Sequence, residues 1–136
     1  MANAKKKAIK KDEGKIRMEL LSVPALRAIA EVLGDGAIKY AEHNWRNGFK
    51  WSRLYGAAMR HLTSHMNGED LDPETNRSHL AHLGCCIMFL LEHEINNLGE
   101  DDRYVHPKDE YESQNGGTRP ANRNSMWDNI LRSKFK

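Results

Sequence analysis

Apolar residues in the middle of the chain recur with the spacing of helices. In the first of two stretches they lie four residues apart, at Leu54, Ala58, Leu62 and Met66. In the second they lie three or four residues apart, at Leu80, Leu83, Ile87 and Leu91. Each spacing places its members on one face of a helix. The segment 67–74 is acidic and contains an Asp-Pro step, so the pattern predicts two helices joined by an acidic turn.

Histidines accompany both apolar stripes. At about 100° per residue, His61 and His65 fall on the stripe of the first helix. His79 and His82 share a face beside the stripe of the second helix. A single inward histidine is usually a hydrogen-bonded core residue, but four of them on two neighbouring helices favour a binding or catalytic site.

An earlier helix is predicted to begin with Ser22 as its N-cap and Pro24 in its first turn. Serine accepts a hydrogen bond from the unpaired N–H groups of a first turn, and proline has no N–H that needs a partner there. Apolar residues continue to Tyr40, but Gly34 and Gly36 each cost about 1 kcal/mol inside a helix. We expect a kink or a break at these glycines.

Three regions are expected along the chain. Residues 1–12 are rich in lysine and predict a mobile basic tail, and residues 13–98 predict one helical domain. Residues 99–136 are polar and contain several glycines and prolines, which predicts an extension that ends in a short amphipathic helix at 125–133. No segment shows the alternation of a β-strand, so the predicted fold class is all-α.

Composition narrows the functional classes. The 136 residues suffice for one domain, and a net charge of +2 gives no general electrostatic case for binding nucleic acid. No apolar run reaches the roughly 18 residues of a membrane span. Cys85 and Cys86 are adjacent, so on a helix their side chains diverge and do not pair. Unpaired cysteines are typical of a reduced, cytoplasmic location.

The acidic turn and the histidines predict a site for a divalent metal ion. The carboxylates of Glu69, Asp70 and Asp72 suit Mg²⁺ or Mn²⁺. Imidazoles such as those of His79 and His82 suit Mn²⁺, Co²⁺ or Zn²⁺, or serve as a general base. Hydrolysis of a phosphoanhydride uses these elements, because it needs charge neutralisation and a positioned water.

Two tryptophans bracket the loop that precedes the first of the two central helices. In one interpretation Trp45 and Trp51 both cap the hydrophobic core. In the other, the loop with Asn44 and Trp45 stacks on a base and hydrogen-bonds to a base or a sugar.

Several short motifs, taken in order, resemble one family. They are Lys15-x-Arg17-x-x-Leu20-Leu21, Gly36-Ala37-x-Lys39-Tyr40, Asn44-Trp45-x-x-Gly48, Arg60-His61, Gly68-Glu69-Asp70-x-Asp72, and His79-Leu80-Ala81-His82 with Phe89-Leu90-Leu91-Glu92. The chain is similar over residues 13–94 to the N-terminal domain of phage-type dATP/dGTP diphosphohydrolases. That family is related in architecture to the MazG-like all-α nucleotide pyrophosphatases.

The resemblance implies a small MazG-like helical bundle that assembles as a homodimer or homotetramer. It also implies metal-dependent hydrolysis of a purine dNTP, dGTP or dATP, to dNMP and pyrophosphate, which would adjust the dNTP pool of a phage-infected cell. On this plan the candidate metal ligands are Glu69, Asp70, Asp72, His79 and His82. The candidate catalytic residues are His61, His79 and His82. The candidate substrate-binding residues are Lys15, Arg17, Lys39, Asn44, Trp45 and Arg60.

One departure from the MazG-like pattern leaves the ligands open. Those enzymes hold metal with Glu-x-x-Glu on one helix and Glu-x-x-Asp on the next, and this chain has neither. His79-x-x-His82 stands in the place of the second motif. Either histidines replace the carboxylate ligands, or the acidic turn holds the metal, with Glu31 as a further candidate.

Two other interpretations compete with catalysis. The chain is alternatively a non-catalytic helical protein that binds a nucleotide or a partner through the loop with Asn44 and Trp45, without metal. A structural zinc site formed by His79, His82 and Cys86 is the third possibility, and it predicts that chelation unfolds the protein.

Overall fold

The computed structural model describes residues 8–104 as a helical fold. Residues 1–7 of the predicted basic tail and the predicted helix 125–133 lie outside the described residues. The elements are a 3-10 helix Met18–Leu20, helix α1 (Val23–Tyr40), a 3-10 helix Asn44–Asn47, helix α2 (Trp51–Met66) and helix α3 (His79–Asn96). Within residues 8–104 the only β-type pairings are isolated bridges, which confirms the all-α prediction.

Helix α1 begins as its sequence predicts but continues further. The Ser22 side chain accepts a hydrogen bond from the Ala25 N–H, and proline occupies the first turn. We expected a kink or a break at Gly34 and Gly36. The expectation of a break was wrong, because α1 runs unbroken to Tyr40. One contact of α1 with α3 is made by Ile29, whose carbonyl oxygen lies 3.5 Å from the thiol sulfur of Cys85.

Helices α2 and α3 form an antiparallel pair that supplies the core. Near one end of the pair His61 contacts His79, and at the other end the Trp51 ring donates a hydrogen bond to the Leu98 carbonyl. The buried residues are Trp51, Leu54 and Ala58 on α2, and His79, Ala81, Cys85, Cys86 and His93 on α3. Both cysteines are free, in agreement with the sequence prediction.

The predicted apolar stripe of α3 does not face the core. Leu80, Ile87 and Leu91 are each more than two-fifths exposed. The face that packs inward instead carries small residues and histidines. Small side chains let two helices approach closely, and histidines are tolerated in a core when polar neighbours lie within reach.

The segment after α3 returns to the start of α2 and holds the loop between α1 and α2. The Asp102 carboxylate accepts hydrogen bonds from the N–H (2.8 Å) and the hydroxyl (2.6 Å) of Ser52. Gly48 and Gly99 have positive φ and approach so closely that a Cβ on Gly48 would lie 2.6 Å from the Gly99 nitrogen. The fully buried His93 ring accepts a hydrogen bond from the Phe49 N–H. No helix within residues 8–104 has both the length and the apolar character that crossing a bilayer requires.

Two helical glycines give a matched test of this packing. A Cβ at Gly34 would meet nothing within 4 Å, whereas a Cβ at Gly84 would lie 2.8 Å from the Ile29 Cδ1. We expect Gly34→Ala to raise the free energy of unfolding by about 0.5–1 kcal/mol, because alanine is the better helix former. We expect Gly84→Ala to lower it by about 1–3 kcal/mol through overpacking. Urea denaturation measures both, and a stabilised Gly84→Ala variant would contradict the α1–α3 packing.

Candidate functional site

A groove of about 1260 Å³ lies between α1, the loop that follows it, the acidic turn and α3. Its lining joins two kinds of surface. One end carries the titratable residues His61, Asp72 and His82, and the other carries the aromatic residues Trp45 and Phe89. Concave sites of this composition, with a few convergent polar groups, are typical of small-molecule binding.

Three side chains at the polar end form a cluster whose ligand-type atoms are close enough together to hold a metal ion. The Nδ1 atoms of His61 and His79 are 2.9 Å apart, and Oδ2 of Asp72 lies 3.8 Å from the His61 Nδ1. One ligand atom from each of the three residues falls within 4.8 Å of the others. We call His61, Asp72 and His79 the His–Asp cluster.

Local structure fixes each member of this cluster. His61 lies in α2, and His79 is the first residue of α3, directly after its N-cap Ser78. Asp72 is oriented by its own turn, since its Oδ1 accepts hydrogen bonds from the N–H groups of Glu74 (2.7 Å) and Thr75 (3.3 Å). These two bonds occupy Oδ1 and leave Oδ2 towards the histidines.

His82 lies against the cluster but is held by a different partner. Its ring stacks on the His61 ring, with centroids 4.5 Å apart and planes 8° from parallel. Its Nε2 is 2.8 Å from the Thr75 hydroxyl oxygen. His82 is therefore oriented in the groove by a stacking contact and a hydrogen bond.

The surroundings favour the neutral form of His61 and His82 and the ionised form of Asp72. Burial lowers the pKa of His61 and of His82, and each histidine faces other histidines that oppose a second positive charge. Burial opposes ionisation of Asp72, but the turn N–H groups and the nearby histidines lower its pKa overall. Neutral imidazoles offer lone pairs, and an ionised carboxylate offers charge, which are the forms that a cation binds.

The buried ring of His79 carries a polar atom with no aligned partner among the described residues. His79 is 4% exposed, and its Nε2 makes no hydrogen bond of good geometry in the described structure. The Glu69 carboxylate lies 3.2 Å from that nitrogen and is the nearest opposite charge. The two groups lie within contact distance, but their geometry does not meet that of a hydrogen bond.

Two cations line the groove beside the cluster, and both are paired with carboxylates. Lys39 lies 2.8 Å from Glu74, which raises the pKa of Lys39. Arg77 donates two hydrogen bonds to Asp35 and a third, of 2.6 Å, to Glu31. These pairs connect the acidic turn to α1.

The aromatic end of the groove is built from the loop after α1 and from α3. The Trp45 and Phe89 rings stack with centroids 4.7 Å apart and planes 20° from parallel. The Arg46 guanidinium lies 4.4 Å from the Trp45 ring centroid and also binds Glu92 at 2.9 Å. Trp51, by contrast, is a core residue, so the two tryptophans have different roles.

The structure brings together only part of the predicted site. The residues that share the groove are Lys39, Asn44, Trp45, His61, Asp72 and His82, and His79 joins His61 and Asp72 from the core side. Glu69 touches the far nitrogen of His79.

Other predicted residues lie elsewhere. Lys15 and Arg17 contact Asp12 and Glu19 within the N-terminal segment and do not line the groove. Arg60 lines a separate, shallower depression. The Asp70 side chain is 87% exposed and lies 3.8 Å from His65, while its backbone carbonyl accepts a hydrogen bond from the His79 N–H.

The zinc alternative gains no support from this arrangement. In residues 8–104 the side chains grouped like metal ligands are those of the His–Asp cluster, and Cys86 is not among them. Glu31, the further carboxylate candidate, is bound to Arg77.

Sequence reasoning missed Asp35, Thr75, Arg77 and Phe89, which all line the groove. One signal was present: an aspartate between two glycines in the interior of a helix is unusual, and in the structure this side chain binds Arg77. Thr75 and Arg77 had no such signal, because their roles depend on contacts with distant residues.

The lowered histidine pKa values predict a pH dependence of stability. The unfolded chain binds more protons than the folded one below the ordinary histidine value of 6.5, so the free energy of unfolding falls as the pH drops below that value. We expect urea denaturation to show this fall between pH 7.5 and pH 5.5, and to show a smaller fall for His61→Gln. The same pH dependence in both proteins would contradict the burial of a neutral His61.

Comparison with known proteins assigns the chain to a family. A family model described as dATP/dGTP diphosphohydrolase, N-terminal, matches residues 5–103. Searches of curated proteins and of solved structures give no significant match. The matched range includes α1, α2, α3 and every residue of the His–Asp cluster. The chain therefore belongs to the family of the dATP/dGTP diphosphohydrolase N-terminal domain.

Proposed function

We propose that this protein hydrolyses a purine dNTP, dGTP or dATP, to dNMP and pyrophosphate with a divalent metal ion, and so adjusts the dNTP pool. The observation that carries the proposal is the His–Asp cluster in a groove that also presents Lys39 and Arg77. The family description supplies the substrate class. Phosphoanhydride hydrolysis depends on positioning and on neutralising negative charge, and the polar end of the groove offers both.

The donor set fits a transition metal better than it fits Mg²⁺. Two imidazole nitrogens and one carboxylate oxygen suit Mn²⁺, Co²⁺ or Zn²⁺, whereas Mg²⁺ prefers oxygen ligands. His61, Asp72 and His79 would hold the ion, and Glu69 would orient His79 through its other nitrogen, as outer carboxylates do for ligating histidines. A bound divalent ion supplies charge neutralisation and lowers the pKa of a bound water.

The other groove residues then have defined tasks. Lys39 and Arg77 lie next to the cluster and would exchange their carboxylate partners for phosphate oxygens of the substrate. His82 is the general-base candidate because burial keeps its ring neutral. If Nε2–H donates to the Thr75 hydroxyl, Nδ1 holds the lone pair that accepts a proton from water.

Product analysis tests the proposal against the non-catalytic alternative. The protein is incubated with each of the four dNTPs, and with ATP and GTP, in the presence of Mn²⁺ or Mg²⁺, and the nucleotides are separated by anion exchange. We expect monophosphate without diphosphate, formed fastest from dGTP or dATP and faster with Mn²⁺. Diphosphate as the product would indicate another phosphohydrolase, and binding without turnover would support the nucleotide-binding protein.

Asp70 and Asp72 are separated by one residue, and substitutions at the two positions distinguish the His–Asp cluster from a metal site held by the acidic turn. Asp72→Asn removes the charge of the His–Asp cluster, so we expect kcat/KM to fall by at least about 100-fold, in line with the loss of a metal-binding charge. Asp70→Asn changes an exposed side chain outside the cluster and is expected to stay within about 3-fold of wild type. Equal losses in both variants would favour a site held by the carboxylates of the acidic turn.

We also propose that the chain assembles as a homodimer or homotetramer through the outer faces of its helices. Val23 and Leu26 on α1, and Leu80, Ile87 and Leu91 on α3, are all more than two-fifths exposed. Leu80, Ile87 and Leu91 share one face of α3, and exposed apolar patches are typical of interaction surfaces. Light scattering should give a mass of at least twice 15.6 kDa, and Ile87→Glu should reduce it. A monomeric wild-type protein would contradict this proposal.

A further inference from the structure

Glu92 is a groove residue that the proposed chemistry does not use. It lies on α3 in the lining at the aromatic end, and its side chain is 29% exposed. Arg46 and Asn96 both donate hydrogen bonds of 2.9 Å to it, and both bonds end on the same oxygen, Oε1. In the described part of the chain no residue donates to Oε2. The carboxylate is thus anchored by one oxygen and has the other available to a ligand.

The anchored carboxylate and the aromatic surface are fixed to each other. The Arg46 guanidinium that holds Glu92 also lies over the Trp45 ring, and Trp45 stacks on Phe89. Phe89 and Glu92 are themselves less than one turn apart on α3. Arg46 and Phe89 cover the two faces of Trp45, so the surface left for stacking is the other face of Phe89, which lines the groove beside the oriented acceptor Glu92.

The position of this end along the groove matches the base of a nucleotide whose phosphates lie at the cluster. His82 and Phe89 are seven residues apart on α3, two turns along one side of the helix, or about 10 Å. The cations Lys39 and Arg77 lie at the His82 end. Lys39 is bound to Glu74 of the acidic turn. Arg77, which follows that turn, is bound to Asp35 on α1. A triphosphate at that end extends the sugar and base towards Trp45, Phe89 and Glu92.

We infer that Glu92 selects guanine over adenine, an inference that rests on the proposed function and adds its base specificity. An ionised carboxylate only accepts hydrogen bonds. The Watson–Crick edge of guanine presents two donors, N1–H and the 2-amino group, which suit a carboxylate. Adenine has its only amino group at C6, so a carboxylate opposite N1 and C2 would face the N1 lone pair and a carbon without a donor. Sites built around such a hydrogen bond reject the analogue that lacks it.

A series of substrates tests this inference on the unmodified protein. dITP retains N1–H but lacks the 2-amino group, and dATP lacks both donors. We expect kcat/KM to decrease in the order dGTP, dITP, dATP, with about 10-fold for each lost donor. Equal values for the three substrates, or a preference for dATP, would overturn the inference.

Glu92→Gln is the matching change on the protein side. Glutamine keeps the size of the side chain but replaces one acceptor oxygen by a donor, so we expect kcat/KM for dGTP to fall about 10-fold to 100-fold. The value for dATP should change less than about 3-fold, which lowers the dGTP to dATP ratio. A purely structural role of Glu92 would lower both values together and leave the ratio unchanged. Glu94→Gln, on the same helix but outside the groove lining, should keep the wild-type ratio.

Different results would contradict the role of Glu92 and the proposed function. If no dNTP is hydrolysed, the proposed function fails, and the base preference is read instead from equilibrium dialysis of dGTP and dATP with the wild-type protein and with Glu92→Gln. Tighter binding of dGTP that the variant loses would still support Glu92 as the selecting residue. Hydrolysis with an unchanged dGTP to dATP ratio in the variant would overturn the inference and leave the proposed function standing.

Discussion

The fold depends on placing polar rings between two packed helices. His61 on α2 and His79 on α3 meet at 2.9 Å, where most helix pairs would have apolar contacts. Buried imidazoles cost free energy unless each finds a polar partner, and neither helix supplies a carboxylate at this level. Each ring has the other as its hydrogen-bond partner, and the connecting turn adds a charge, with Oδ2 of Asp72 3.8 Å from the His61 Nδ1. The turn must therefore fold so that one carboxylate oxygen reaches the helix interface.

The conformation of the turn follows from this requirement. The N–H of Asp72 donates to the Arg77 carbonyl, the Asn76 N–H donates to the Asp72 carbonyl, and the His79 N–H donates to the Asp70 carbonyl. These bonds close the turn on itself around Asp72 and start α3 at His79. The same turn sends Arg77 and Glu74 to α1, where they bind Asp35 and Lys39. One loop thus joins all three helices and forms the polar wall of the groove.

Local sequence patterns predicted the elements but not the side of each helix that faces inward. Ser22 as a cap, the helix through Leu54 and Ala58, and the turn before His79 follow from short-range rules that the structure confirms. On α3 the periodic leucines and isoleucine predicted the wrong inward face. Periodicity alone cannot distinguish an apolar stripe that packs in the core from one that is exposed on the single chain. The uninterrupted α1 shows that tertiary contacts override the modest cost of Gly34 and Gly36.

The grouping of the candidate site residues was predictable where they lie on consecutive elements and not where distant elements meet. His61, Asp72, His79 and His82 were identifiable because helical spacing and an adjacent acidic turn limit where they can lie. Arg77 binds Asp35, 42 residues away, and Trp45 stacks on Phe89, also on a distant element. Such pairs depend on the packing angle of α1 against α3, which no local pattern contains. The same limit applies to Lys15, Arg17 and Arg60, which adjoin matched motifs in sequence but not the groove in space.

The central claim is that His61, Asp72 and His79 hold the metal ion that the reaction needs. Anomalous diffraction at the manganese edge, from crystals grown with Mn²⁺ and a non-hydrolysable dGTP analogue, tests it directly. The account predicts an anomalous peak within about 2.0–2.4 Å of donor atoms of these three residues, with phosphate oxygens completing the coordination. A peak held instead by Glu69 and Asp70, or bound analogue with no peak at the cluster, would contradict it.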